Sequence, residues 1–464
     1  MDKRDLCYLD IAVLGQLYRS GEVSPVEATQ AVLERIHALD GRLNAFITVL
    51  DEPALACAQK AEAELRAGQD RGPLHGVPVS LKDLIDTAGV RTTCGSRILR
   101  NYVPDYSATV VRRLEQAGAV LVGKCNLLEF AYGIVHPDFG KCNNPWDVTC
   151  TAGGSSSGSC ASVAAGMGYG SLGTDTGGSI RIPAAYCGVV GFKPTYGRVS
   201  RQGVFPLSWS LDHVGTITRT VADAAILLKA VAGTDPLDPT CSMVPVPDYR
   251  TGLNGEVRGL RVGVLEEHMN AADLRPGVAE AAWMAVAELE KAGMVIHKIK
   301  LPSLEGADPA LLLSILPEGT LVHEEWLRQR PQDYAEMTRQ QLETGVLIPA
   351  VDYLRAQQYR SRLLGECLAA FQEVDVLISP TVAWEAPQED PSLAGGDGAT
   401  ESRRTGPFNL TGLPAISLPC GFGPAGLPLG LQITGAPYAE EMVLRVAHAY
   451  EQRAGWFDRH PILE

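Results

Sequence analysis

The stretch TAGGSSSGS, Thr151 to Ser159, decides how the rest of this 464-residue chain is read. Gly and Ser at this density usually make a flexible linker. Here they run straight into CASVAAGMGYGSLG, whose small and apolar residues predict a tightly packed helix and then a buried strand. A linker does not feed into such a core. A phosphate cradle is disfavoured as well, because the GK[ST] ending of a P-loop is missing. The remaining reading is a backbone that turns sharply so that a hydroxyl points into a site.

The next small-residue run, GTDTGGSIR from Gly173 to Arg181, completes that reading. Consecutive glycines, Gly177 and Gly178, let neighbouring amide N–H groups converge on one point. A serine beside such a nest, Ser179, can attack a carbonyl while the amides hold the developing oxyanion. Losing one such donor typically costs about 3 kcal/mol of transition-state stabilisation. Neither run contains a histidine, so a Ser-His-Asp arrangement finds no support. GVPVSLKDLIDTAG instead places Lys82 after an apolar run, at the end of a buried strand. Desolvation there would bring its pKa from about 10.4 towards neutrality, and neutral lysine is a competent base. A structural salt bridge from Lys82 to Asp83 or Asp86 stays open at this point.

Working outward, 45% hydrophobic and 20% charged residues describe a globular chain. A formal net charge of -14 opposes general nucleic-acid binding. The N-terminus has no signal-peptide core, and no apolar run is long enough to span a bilayer. Eleven irregularly spaced cysteines without CxxC, and nine histidines without HExxH, predict reduced thiols in a cytoplasm and neither metal nor cofactor. SPVEATQAVLERIHALD predicts a helix with a capping box on Ser24 and Glu27. SATVVRRLEQAGAVLVGKCN predicts a helix capped by Ser107, a stop at Gly118, then a strand. The same rhythm returns in PGVAEAAWMAVAELEKAGMVIHKIKLP, and RVGVL, VDVLIS and AISLP add buried strands, so the fold class is α/β. Glu385–Arg404, rich in Pro, Gly and acids, predicts a mobile loop at a pocket mouth, with its tip at Gly395–Gly398.

Three pieces taken together, GVPVSLKD, AGGSSSGS and GTDTGGSIRIPAAYCGVVGFKPTYGRVS, resemble the amidase signature family of serine hydrolases. The resemblance continues in PFNLTGLPAISLPCGF and GLPLGLQITG and is weakest between Pro302 and Gly406. It implies a single α/β/α domain over residues 1–464 with a large mixed, twisted sheet between helices. Within it, 1–70 would be N-terminal helices, 71–300 the signature core, 301–406 a variable segment and 407–464 a return to the core.

The resemblance further implies a triad of Ser179 as nucleophile, Ser155 after a cis peptide as proton relay, and Lys82 as base. The oxyanion hole would be the backbone amides of Thr176, Gly177, Gly178 and Ser179. Gly154 would admit the cis bond, Ser156 would help to hold Lys82, and Asp175 and Arg181 would support the turn. Tyr132, Gly133 and Ile134, in FAYGIVHPDFG, would line the acyl pocket; that segment is apolar with one acid, Asp138. An apolar wall favours neutral substrates. The leading expectation is therefore hydrolysis of neutral amides, anilides or carbamates, also esters, through a Ser179 acyl-enzyme. With it go a small-molecule substrate as partner, a homodimer, and no nucleic acid or membrane. The alternative is a glutaminase-type subunit of a tRNA-dependent amidotransferase, whose glutamine-pocket segment is not found between residues 300 and 406.

Overall fold

Runs such as PVSLK, GSLGTD and PLGLQITG are buried at every position. Strands of this kind need cover on both faces. The computed structural model, which describes residues 2–390 and 401–463, supplies it. Eleven strands form one sheet: β1 (Phe46–Val49), β2 (Pro78–Lys82), β3 (Val120–Cys125), β4 (Gly170–Asp175), β5 (Val190–Lys193), β6 (His213–Thr218), β7 (Arg261–Leu265), β8 (Val295–Ile299), β9 (Val376–Pro380), β10 (Ala415–Phe422) and β11 (Pro428–Gly435).

Their order is β1-β3-β2-β4-β6-β5-β10-β11-β9-β7-β8. The pairs β2–β3, β2–β4, β7–β8 and β7–β9 are parallel and the rest antiparallel, which makes the sheet mixed. This is the expected α/β architecture. β8, at one edge, exposes Val295 and Lys298, and the Lys298 charge discourages pairing with another chain. One hydrophobic cluster runs through the sheet and its helices from Leu6 to Tyr450. Among the described residues, no helix is long and apolar enough to cross a membrane.

Local signals act where the chemistry allows. The helix Pro25–Leu43 opens on the expected capping box, with Glu27 N donating to Ser24 Oγ at 3.1 Å and Ser24 N to the Glu27 carboxylate at 2.7 Å. Ser107 does not cap the next helix. That helix is Thr109–Gln116 with Ala108 at its cap, because the Ser107 hydroxyl instead accepts the N–H of Ala88 at 3.0 Å.

The topology fixes where a site can form. β2 and β4 are parallel neighbours, with Leu81 beside Leu172, so their carboxyl ends emerge at the same edge of the sheet. β2 ends at Lys82 and β4 at Asp175, the residue before the Thr176–Ser179 turn. The short helix Ser157–Ala164 packs against both strands and brings Ser155 to that edge.

Candidate active site

Three side chains from three elements meet at this edge in order of increasing burial. Ser179 is partly accessible, Ser155 is 1% exposed and Lys82 is 0% exposed. Lys82 Nζ lies 2.7 Å from Ser155 Oγ and donates to Thr174 Oγ1 at 2.9 Å. Ser155 and Ser179 line one cavity. Burial lowers the Lys82 pKa from 10.5 to about 7, against the opposing fields of Asp175 and Asp212. A neutral amine at this position has one lone pair to accept a proton from Ser155 while its N–H groups bond elsewhere.

The salt-bridge alternative for Lys82 is not what forms. Asp83 instead faces Lys124 at 3.3 Å and accepts from Thr93, and Asp86 accepts from Tyr106 at 2.7 Å. The peptide bond Gly154–Ser155 is cis. A Cβ on Gly154 would fall 2.4 Å from a Leu128 methyl, so glycine suits the position between that side chain and Ser155. Ser156 takes a different part from the one expected. Its hydroxyl donates to the carbonyl of Thr174 at 3.1 Å, its N–H donates to the carbonyl of Ser179 at 3.1 Å, and it is Thr174 that holds Lys82. Ser156 thus ties the Ser155 segment to the Ser179 turn.

The turn itself is held from all sides. Asp175 accepts the N–H groups of Ile180 and Arg181 and pairs with the Arg181 guanidinium at 2.9 Å, both side chains being wholly buried. Burial alone would raise the Asp175 pKa, but Arg181 and then Lys193 hold it below the usual carboxylate range. Arg181 continues to Gln432 and Asn409, so the turn is braced against β11 and the segment before β10. Thr176 donates to Asp212 at 2.6 Å, and the Gly177 carbonyl accepts from Thr405 at 2.6 Å. These bonds fix the peptide planes of Thr176 to Ser179. Gly178 has φ +141°, and a Cβ there would sit 2.3 Å from Thr405 Oγ1. No other residue type fits this turn.

Tyr132 and Gly133 line the cavity, whereas Ile134 does not; its N–H is directed to Thr338 Oγ1 at 3.5 Å. Glu129, unremarked in the sequence, holds that segment. Wholly buried, it accepts from the Ser96 hydroxyl at 2.6 Å and the Ala335 N–H at 2.9 Å, and burial raises its pKa to about 7. The bonds support the left-handed residues Phe130 and Ala131, which swing Ala131, Tyr132 and Gly133 into the wall.

The opposite wall comes from the region of weakest resemblance. The helix Ala307–Gln329 contributes Asp308, Leu311, Leu312 and Ile315, and Asp390, Glu401 and Ser402 complete it. Burial raises Asp308 and Asp390 to about 6 and Glu401 to about 8. The ends of the Glu385–Arg404 segment therefore do face the cavity, while its tip, Gly395–Gly398, lies outside the described residues. A partly accessible serine with a buried serine and lysine behind it, beside a glycine turn and a cavity, is an arrangement suited to acyl transfer.

Comparison with known proteins agrees with that chemistry. Residues 27–444 match the family described as Amidase. The chain is 43% identical to a subunit of the Glutamyl-tRNA(Gln) amidotransferase of Moorella thermoacetica, over 99% of each chain. Among solved structures, one is reported as a vestigial protein complex revealing the evolutionary origins of an s-triazine catabolic enzyme. It is 34% identical with a TM-score of 0.90, over 98% of this chain and 100% of that one. The native peptide amidase from Stenotrophomonas maltophilia is 33% identical with a TM-score of 0.85, over 98% of each.

The first of these relatives corrects the partner expectation of a small-molecule substrate and no nucleic acid. It matches over nearly the whole length, and its name specifies both a tRNA and membership of a larger enzyme. Net negative charge bears on what a chain itself holds and not on the tRNA of an enzyme in which it is one subunit. The name also fits the glutaminase-type alternative better than the leading expectation.

Proposed function

The chain belongs to the amidase family, and from that premise we propose that it hydrolyses a C–N amide bond through a Ser179 acyl-enzyme, as the amide-cleaving subunit of a tRNA-dependent amidotransferase. The chemistry is carried by one observation: a fully buried Lys82 Nζ lies 2.7 Å from Ser155 Oγ at the cavity that Ser179 lines. Neutral Lys82 takes the Ser155 proton as Ser155 takes that of Ser179, and Ser179 Oγ attacks the amide carbonyl. The amides of Thr176, Gly177, Gly178 and Ser179 receive the oxyanion. The tetrahedral adduct collapses as the relayed proton passes back through Ser155 to the leaving nitrogen. Water then repeats the sequence on the acyl-enzyme and frees the acid.

Its place in an amidotransferase is supported by the near-complete match to the curated relative. We read residues 1–464 as one amidase unit, and the eleven free cysteines suit a reducing compartment such as the cytoplasm.

A second reading, an amidase for neutral amides, anilides, carbamates or esters, is favoured by the cavity wall. Leu128, Leu207, Leu311, Leu312 and Ile315 dominate it, and no Lys, Arg or His is among its described lining residues, so no cation there faces the α-carboxylate of glutamine. The test supplies glutamine and misacylated glutamyl-tRNA(Gln) to the chain, with and without the remaining subunits of such an amidotransferase. Formation of glutaminyl-tRNA only in the complete mixture supports the first reading. Release of amine from a nitroanilide, with glutamine untouched in either mixture, supports the second.

A further inference from the structure

Among the described residues, three carboxyl groups line the cavity, and two have partners. Asp390 accepts from the Thr151 hydroxyl at 2.6 Å and Glu401 from the Tyr186 hydroxyl at 2.7 Å. Asp308 differs: its Oδ1 is buried and, among the described residues, has no hydrogen-bond partner. The cations whose fields reach it, Arg403 and Arg404, are both drawn to Asp273, at 4.0 and 2.6 Å. A second buried polar atom is open on the facing wall of the same cavity. Tyr132 is 2% exposed, and its hydroxyl has no partner among the described residues. Leaving such atoms unsatisfied is costly, and the surrounding leucines and isoleucine offer them nothing.

We propose that this pocket selects an amide whose acyl part carries a primary ammonium, and that Asp308 receives that ammonium, with the Tyr132 hydroxyl as an additional acceptor. An ammonium has three N–H donors and no acceptor, which suits an open carboxylate oxygen and a phenol oxygen. Its alkyl chain suits the apolar wall between them and Ser179. A carboxylate-bearing acyl group finds no cation among the described lining residues. The inference rests on Ser179 being the nucleophile of this pocket, and holds whether or not partner subunits take part.

The test compares two isosteric amides, δ-aminovaleramide and hexanamide, which differ by an ammonium in place of a methyl group. The intact protein should show a kcat/KM ratio favouring the amine of about tenfold or more, the scale of one charge-assisted hydrogen bond. Asp308→Asn should bring that ratio close to one, and Asp308→Leu should reverse it. A ratio near one in the intact protein, or one that persists in Asp308→Asn, overturns the proposal.

A measurement without turnover covers variants that fold poorly. Pentylamine should protect Ser179 of the intact protein from a fluorophosphonate at a concentration about tenfold below that of pentanol; equal protection overturns the proposal. Adding glutamine to the panel, with the remaining subunits of such an amidotransferase present, separates the two readings. Turnover of δ-aminovaleramide without glutamine keeps this inference and removes the amidotransferase assignment. Turnover of glutamine with no preference between the isosteres does the reverse.

Discussion

Replacing Lys82 by methionine separates the role of this residue in chemistry from its effect on stability. Burial moves its pKa from 10.5 to about 7. At pH 7 roughly half of the chains then carry the neutral base, against roughly three in ten thousand for an exposed lysine. The same difference corresponds to about 5 kcal/mol against the charged form in the fold. The sign follows from proton binding. Between pH 7 and pH 10.5 the unfolded chain holds a proton on Lys82 that the folded chain has released, so this residue makes the fold more stable as pH rises across that window.

Methionine has no proton to lose and fills a similar volume. Lys82→Met should therefore be inactive, yet its stability relative to the parent should be several kcal/mol greater at pH 6 than at pH 10. Other titrating groups cancel in that double difference. Urea unfolding of both proteins at the two pH values reads it, and kcat/KM of the parent should climb along an acid limb near pH 7. A double difference of zero refutes the claim that Lys82 is held neutral by burial. So does an active Lys82→Arg enzyme, since guanidinium cannot accept the relayed proton.

Ser155→Ala should keep a small residual rate, and the double variant with Lys82→Ala should be no worse than the poorer single one, because a relay acts as a unit; additive losses measured by kcat would argue against a relay. Thr174→Val removes an acceptor for the Lys82 N–H groups, so the acid limb of kcat/KM should move to lower pH, with Thr174→Ser restoring it. An unchanged limb would leave Thr174 without that role. Gly178→Ala forces a side chain into φ +141° and against Thr405 and Ile182. It should cost about 3 kcal/mol of stability and at least a hundredfold in kcat. The control is Gly255→Ala, at φ +74° with open space around it, where a loss of about 1 kcal/mol and normal turnover are expected.

The two small-residue runs were legible because their chemistry is local. Glycines that must turn and a serine that must project sit within a few residues of one another, and Lys82 ends a run that only a buried strand explains. What escaped reading acts across the fold. Thr174 reaches Lys82 only because β2 and β4 are parallel neighbours, a pairing that strand patterns do not encode. The resemblance implied that Ser156 holds Lys82, yet at the start of a helix its hydroxyl donates to the Thr174 carbonyl instead. Glu129 reads as an ordinary surface acid until Ala335 and Ser96 are brought to it. Asp308 and the leucines beside it lie far along the chain from the nucleophile, on a helix whose apolar positions read only as core. The expected wall was therefore the FAYGIVHPDFG segment, apolar with one acid, Asp138.

The central claim is that Ser179 carries the acyl group, and the direct measurement is its capture. The protein is mixed with a nitrophenyl carbamate or a nitroanilide, quenched in acid during turnover, digested, and the peptides weighed. An acyl-enzyme on Ser179 predicts an added acyl mass on the peptide containing that residue, absent from Ser179→Ala and slow to form in Lys82→Met. An acyl mass on another residue, or steady turnover by Ser179→Ala, would contradict it.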